Sequence, residues 1–387
     1  MSGIYDAIVI GCGGFGSAAL YHLASRSRRV LGIERFGIAH DRGSSHGQTR
    51  IIRKAYFEHA DYVPLLHRAY ELWSDLESRT GTHLLHPVGL FIAGAPDCES
   101  VAGTLHAART HNLAIETLTA SEATRRWPGF QFGNEMIVIY EADAGYLQVE
   151  ACVRAHLTAA LAAGAELHVD ETVVEWRAEG AGIRVRTDRS EYVTTRMIVT
   201  AGPWAEQVLM ACAEVAAVPW SEWLTVVRKP VFWFPAGPVF DAAAGNPAFF
   251  FETEAGQFYG FPRIDGATIK VAEHTGGEPV ADPTTVDRTV HPVDLERIGS
   301  FLSKHARDVT PKPTSHSVCM YTRTPDCHFL IDRHPEHRGV ILGAGFSGHG
   351  FKFTSVLGEA LADLALDGTT SLPVGFLHSA RLRTARR

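Results

Sequence analysis

Short apolar runs bounded by glycines alternate along this chain with longer stretches whose apolar residues recur at helical spacing. Residues 5–10 (YDAIVI) predict a buried strand, and Gly11, Gly13 and Gly16 follow it at once. Residues 17–24 predict a helix and 29–34 a second strand, so the chain opens with one βαβ unit. Tyr62, Leu66, Ala69, Trp73 and Leu76 fall on one helical face within 61–78. Residues 88–92 and 136–140 predict strands, with a charged, helical stretch between them. Residues 151–164 predict an Ala-rich helix stopped by a glycine, and 167–176, 182–187 and 197–200 predict strands. From about 220 to 275 the pattern is of strands rich in aromatics: Trp223, Phe232, Trp233, Phe249, Phe250, Phe251, Phe258 and Tyr259. A connector with Pro and Asp covers 276–292. The chain then returns to strand (340–342), glycine-rich loop (343–350) and helix (351–366).

Composition narrows the class. At roughly 100–200 residues per domain, 387 residues predict two or three domains. With 45% hydrophobic and 20% charged residues the chain is ordinary globular material, which excludes a disordered or low-complexity protein. The net charge of −7 is spread without basic stripes, which argues against a nucleic-acid partner. No apolar run approaches the ~20 residues of a membrane span. The first residues have neither the basic nor the apolar part of a signal peptide. Cys12, Cys98, Cys152, Cys212, Cys319 and Cys327 are scattered with no CxxC pair, so a cytoplasmic protein with reduced thiols is expected.

The first chemistry lies in Gly11-Cys12-Gly13-Gly14-Phe15-Gly16, a GxGxxG between a predicted strand and helix. Gly11 permits the tight turn, Gly13 lets the backbone approach a pyrophosphate, and Gly16 lets helix and strand pack closely. The helix start offers free N–H groups to phosphates. Glu34, at the end of the second strand, is suited to accept hydrogen bonds from ribose hydroxyls. This motif leaves FAD and NAD both open.

Two further segments carry charge into glycine-rich loops. Residues 43–53 (GSSHGQTRIIR) place Arg50 and Arg53 three apart, a spacing that points both into one cleft if the segment is helical. Residues 345–353 (GFSGHGFKF) lie between a strand and a long helix, with Lys352 at the helix opening. A helix start aimed at a flavin would stabilise the negative charge of the reduced ring.

Together with CMYTRTPD at 319–326, these motifs resemble the monomeric sarcosine oxidase group of the D-amino-acid-oxidase-like flavoproteins. That group includes N-methyltryptophan oxidase and peroxisomal sarcosine/pipecolate oxidases. The resemblance runs from about Tyr5 to about Leu366. It implies an α/β (α+β overall) architecture, with a Rossmann-like FAD-binding domain assembled from 1–85, 141–220 and 318–387. A substrate domain built on an antiparallel sheet would take 86–140 and 221–317.

The same resemblance implies roles. FAD would be attached covalently through Cys319, with Cys327 structural. Gly11, Gly13, Gly16 and Glu34 would contact its ADP half, and Val174 its adenine through the backbone. Ser44, His46, Arg50, Gly348, Gly350 and Lys352 would lie near the flavin. Arg53 and Lys352 would hold a substrate carboxylate; Tyr259, Tyr321, His274, Phe250 and Gly348 would line the pocket, with His274 near the amine, and Arg50, Tyr259, Lys270 and His274 would be the catalytic residues. Lys270 would activate oxygen, because a fixed positive charge stabilises superoxide as it forms; read without the family, it is a strand lysine facing solvent. Phe250 stands where sarcosine-specific members are expected to carry a smaller or more flexible side chain, a difference that bears on the substrate and not on the chemistry. Cys327, His328, His334 and His337 match no ordinary zinc spacing, and no metal is expected.

The expected activity is oxidation of a secondary amino acid such as sarcosine, with hydride passing to flavin N5, the imine hydrolysed and O2 reduced to H2O2. The expected partners are that small molecule and O2, for a monomeric enzyme. The alternatives are an L-pipecolate or L-proline oxidase, to whose peroxisomal branch 43–56 is similar, an NAD-dependent dehydrogenase, and a non-enzymatic nucleotide-binding module.

Overall fold

The computed structural model describes residues 4–212 and 218–384. The opening strand is Ala7–Ile10, all of it buried. It lies inside a six-stranded sheet in the order Leu330–Arg333, Val340–Ala344, Met197–Val199, Ala7–Ile10, Val30–Ile33 and Glu166–His168. Every pairing is parallel except that of Leu330–Arg333 with Val340–Ala344. Segments far apart in sequence therefore build one sheet.

Strand alternation assigns each side chain to a face. Ala7 and Val9 join a core formed with the helices Gly14–Ala24, Val149–Ala162 and Thr354–Leu366. Ile8 and Ile10 join a second core under a three-stranded antiparallel sheet that supplies Trp176, Ile183, Val185 and Tyr192. The apolar face read from 61–78 is buried as expected, in the helix Val63–Thr80.

A second sheet of nine strands gathers Thr225–Pro235, Ala248–Thr253, Gly256–Phe261 and Thr268–Glu273 with strands from residues 90–141. One face carries an aromatic core that includes Phe232, Phe249, Phe251 and Phe258. The helix Pro292–His305 covers it with Ile298, Phe301 and Leu302, an element the connector pattern did not predict. The other face carries Phe250, Tyr259 and Phe261. The run Phe249-Phe250-Phe251 thus sends one ring to one face and two to the other. The stretch between 92 and 136 holds two helices with the strand Glu116–Thr119 between them.

The strand Ser315–Arg323 pairs with Thr225–Pro235 along nine residues, setting Cys319 opposite Lys229. The division expected at 318 falls inside this strand. Residues 49–52 form a strand, not a helix, paired with Gly145–Gln148. The β-branched Thr49, Ile51 and Ile52 favour that choice.

Candidate active site

A cleft of about 360 Å³ lies at the carboxyl ends of the parallel strands, where α/β sheets bind ligands. Gly11, Gly13, Glu34, Ser44, Val174, Trp204, Gly348 and Gly350 are among the residues that line it. Gly11 has φ +85°, a conformation that favours glycine. A Cβ on Gly16 would stand 1.8 Å from the Gly11 carbonyl, so this glycine serves the contact between turn and helix. A Cβ on Gly13 would meet only Ser45 Oγ, at 3.6 Å, so no protein contact requires glycine there. Its bareness serves the cleft. The Cys12 N–H donates to Glu34 at 2.8 Å, tying the acid to the glycine turn. Strand register shifts between Val173 and Glu175, which leaves Val174 without a partner opposite its backbone.

Arg50 also lines the cleft. Its guanidinium donates to the Ser44 carbonyl at 2.8 Å and the Thr49 carbonyl at 2.9 Å, and reaches Cys319 Sγ at 3.4 Å. His46 Nδ1 is 3.9 Å from the same sulfur. Burial pushes the Cys319 thiol up, but the charges of His46, Arg50 and Lys270 outweigh it and bring the pKa to about 6. A thiolate is thus accessible at neutral pH.

Lys270 is 3% exposed, with its ammonium 4.4 Å from the Phe261 ring centroid. It donates to the Gly47 and Thr49 carbonyls at 2.7 and 2.8 Å. Burial, then the Arg50 charge, holds its pKa well below that of an ordinary lysine.

A smaller cavity of about 50 Å³ adjoins the cleft, sharing Arg50, Gly348 and Phe351 with it. Arg53, Lys352, Phe250, Tyr259, His274 and Glu58 are among the residues around it. Arg53 donates to Glu58 at 2.6 Å, while its Nε is buried with no partner. Lys352 donates to the His349 carbonyl at 2.8 Å. Burial, then the Arg53 charge, lowers its pKa to about 7. Burial would raise the Glu58 carboxyl, but Arg53, His349 and Lys352 hold it at about 2. His274 is lowered to about 3 by burial and by Lys229, so it is neutral at pH 7, 3.4 Å from the Tyr321 hydroxyl.

Arg53, Lys352 and a neutral histidine thus face a small cavity beside the large cleft. A family model described as FAD-dependent oxidoreductase matches residues 6–364. The chain belongs to the FAD-dependent oxidoreductases. It is 42% identical to a monomeric sarcosine oxidase of Streptomyces avermitilis, covering all of both chains. It is 33% identical to an N-methyl-L-tryptophan oxidase of Yersinia pestis, over 98% of this chain and 100% of that one. Among solved structures, NikD, an unusual amino acid oxidase essential for nikkomycin biosynthesis, superposes with a TM-score of 0.85 at 26% identity, covering 97% of this chain and 98% of that one.

Membership settles FAD over NAD, the choice that GxGxxG left open, and the NAD-dependent dehydrogenase is set aside. The cleft fits FAD: the bare Gly13 and the tethered Glu34 flank the helix start where a pyrophosphate is accommodated.

The candidate residues separate into groups. Gly11, Gly13, Glu34, Ser44, Arg50, Val174, Tyr321, Gly348 and Gly350 line the large cleft. Arg53, Phe250, Tyr259, His274 and Lys352 line the small cavity. Gly16, His46, Cys319 and Lys270 line neither. Gly16 lies inside the turn, and His46 and Cys319 sit behind Arg50. Lys270 is buried against the carbonyls of the turn at 47–49. The solvent-facing reading of Lys270 is incorrect, because Ile269 and Val271 are buried too and both faces of the strand are covered. Arg50 and Arg53 reach adjoining cavities from a strand and the residue after it, not from a helix. Cys327 is exposed, and its carbonyl lies 2.9 Å from His349 Nε2. Among the described residues no group of three His, Cys, Asp or Glu could hold a metal ion, and no helix is long and apolar enough to cross a membrane.

Sequence reasoning passed over Ser45, Tyr56, Glu58 and His349. Tyr56 lies 2.5 Å from His349 Nδ1 and beneath the Arg53 guanidinium. Glu58 had one legible signal, an acid five residues after an arginine in a segment already singled out.

Proposed function

We propose that this flavoenzyme oxidises the C–N bond of a small secondary amino acid, with sarcosine as the representative substrate and dioxygen as electron acceptor. The observation that carries the reading is the pair Arg53 and Lys352, both buried, converging on a small cavity that adjoins the large cleft. A carboxylate is the ligand that two such cations and the unpartnered Arg53 Nε would take. The relatives' names support an N-methyl amino acid.

FAD would be held by the turn at Gly11–Gly16, by Glu34, by the backbone at Val174 and by the loop at Gly348–Gly350, and covalently by Cys319. When bound, it supplies the two-electron acceptor for a hydride equivalent from the C–H next to nitrogen, passed on to dioxygen, which takes one further proton and leaves as hydrogen peroxide. Arg53 and Lys352 fix the carboxylate and so set which C–H faces the cleft. His274 accepts a hydrogen bond from the amine without adding charge. Tyr259, Tyr321 and Phe250 exclude water. Arg50 and Lys270 place positive charge where the electrons accumulate. For sarcosine, water and dioxygen the products are glycine, formaldehyde and hydrogen peroxide. In this reading 1–85, 141–220 and 318–387 hold the cofactor, and 86–140 and 221–317 shape the substrate side. The enzyme acts as a cytoplasmic monomer.

The test is anaerobic mixing of the purified yellow protein with sarcosine, followed by air. Bleaching of the oxidised-flavin absorbance and its return are expected. A protein bleached by L-proline or L-pipecolate but not by sarcosine would move the substrate to a cyclic imino acid.

A further inference from the structure

The turn that carries Gly47 and Gln48 is held from behind by an acid that has no place in the chemistry above. Glu150 stands in the first turn of the helix Val149–Ala162. Its Oε1 accepts from the Gly47 N–H at 2.7 Å, and both its oxygens lie 3.2 Å from the Gln48 N–H. The Gln48 N–H and the Gly47 carbonyl belong to one peptide unit. That carbonyl accepts from Lys270 Nζ at 2.7 Å. In a trans peptide the N–H and C=O point in opposite directions. A single peptide dipole therefore lies between a carboxylate and an ammonium, negative end toward the lysine.

The turn needs holding. Gly47 has φ +86° and Gln48, which is not glycine, has φ +74°. A side chain in the left-handed region is disfavoured and persists where surrounding contacts impose it. Further contacts are the Thr49 N–H donating to the Gly47 carbonyl at 2.9 Å across the turn, the Val149 N–H donating to the Gln48 carbonyl at 2.9 Å and the Trp233 indole donating to the Gln48 side chain at 3.0 Å. The carboxylate takes the Gly47 and Gln48 N–H groups, and the Gly47 carbonyl, at the opposite edge of the peptide from the Gln48 N–H, faces Lys270.

We propose that Glu150 is a positioning residue for Lys270: through the peptide joining Gly47 and Gln48 it fixes the lysine next to Arg50, a wall of the large cleft with which Lys270 shares the Thr49 carbonyl, and so governs the reaction of the reduced cofactor with dioxygen. This rests on the flavin reading above. Glu150 touches neither the large cleft nor the small cavity, so its loss should leave substrate oxidation nearly intact.

The experiment uses the FAD-loaded enzyme and separates the two half-reactions. Glu150→Ala, Glu150→Gln and Lys270→Met are each reduced anaerobically with sarcosine, then mixed with oxygenated buffer. Hydrogen–deuterium exchange of the peptide spanning 46–50 is followed in parallel. Glu150→Ala is expected to slow reoxidation about tenfold, as loss of a supporting residue behind a reacting group does, with reduction changed less than about twofold and exchange at 46–50 accelerated. Glu150→Gln, which keeps one acceptor oxygen, falls between Glu150→Ala and the parent. If Lys270→Met slows reoxidation and neither Glu150 variant does, the proposal is overturned. Equal slowing of both half-reactions in Glu150→Gln would also overturn it, as general damage. If Lys270→Met reoxidises normally, the role given to the lysine fails. Unchanged exchange in Glu150→Ala then removes the hold on the turn as well.

Discussion

Cys319 Sγ lies 3.4 Å from the guanidinium of Arg50, itself a wall of the large cleft. This contact brings a cysteine with a lowered pKa to the edge of the large cleft. The thiol is a thiolate above about pH 6 and a thiol below it. Covalent attachment of FAD to the purified apoprotein is therefore expected to slow as pH falls below about 6. Acid-precipitated protein should be yellow for the parent chain and colourless for Cys319→Ala, with the flavin in the supernatant. A yellow precipitate from Cys319→Ala would assign the linkage to another residue.

Lys352 should give carboxylate binding a pH dependence. Its pKa near 7 means that it is charged below that value and neutral above it. Affinity for a carboxylate that cannot be oxidised, such as propionate, is expected to fall by up to about tenfold per pH unit above about 7. Flavin difference spectra across pH 6–9 would record it. Lys352→Met should bind more weakly and lose this slope; a slope that survives the substitution places the titration elsewhere.

In the proposed reading Phe250 limits the size of the substrate. It is buried, 5.2 Å from the Phe57 ring and 6.2 Å from His274, on the wall of a cavity of only about 50 Å³. Phe250→Ala should lower stability by about 3 kcal/mol, the usual cost of a core Phe→Ala change. The same variant should raise kcat/KM for N-methyltryptophan relative to sarcosine by about tenfold or more. Steady-state kinetics on the two substrates decides it, and an unchanged ratio would remove Phe250 from the specificity wall.

The two glycines of the opening turn should behave differently. Gly13→Ala adds a methyl that meets only Ser45 Oγ, so the apoprotein should keep its Tm while FAD affinity falls. Gly16→Ala drives a Cβ to 1.8 Å from the Gly11 carbonyl, so Tm should fall by about 10 °C or more, or the chain should not fold. Calorimetry of both apoproteins compares them directly. Equal Tm losses would mean that Gly13, too, serves the fold.

Glycine turns and alternating apolar runs were enough to read the opening βαβ unit, because φ +85° at Gly11 and burial of 7–10 are local requirements that only certain residues meet. Strand and helix stayed open where the local signal was divided. Residues 49–52 carry arginine at a helical spacing and β-branched residues at once, and pairing with Gly145–Gln148 decided for the strand. The helix Pro292–His305 escaped notice beside a Pro- and Asp-containing connector, although its Ile298, Phe301 and Leu302 cover part of an aromatic face.

The sequence by itself determined the nucleotide turn, the charged loops and the family they resemble, since these reside in contiguous residues. Only the tertiary structure decided which charges meet. Lys270 faces carbonyls 221 and 223 residues away, and Cys319 meets Arg50 across 269. Burial and charge then set the ionisation of each group, and neither has meaning until those distant segments share one low-dielectric interior.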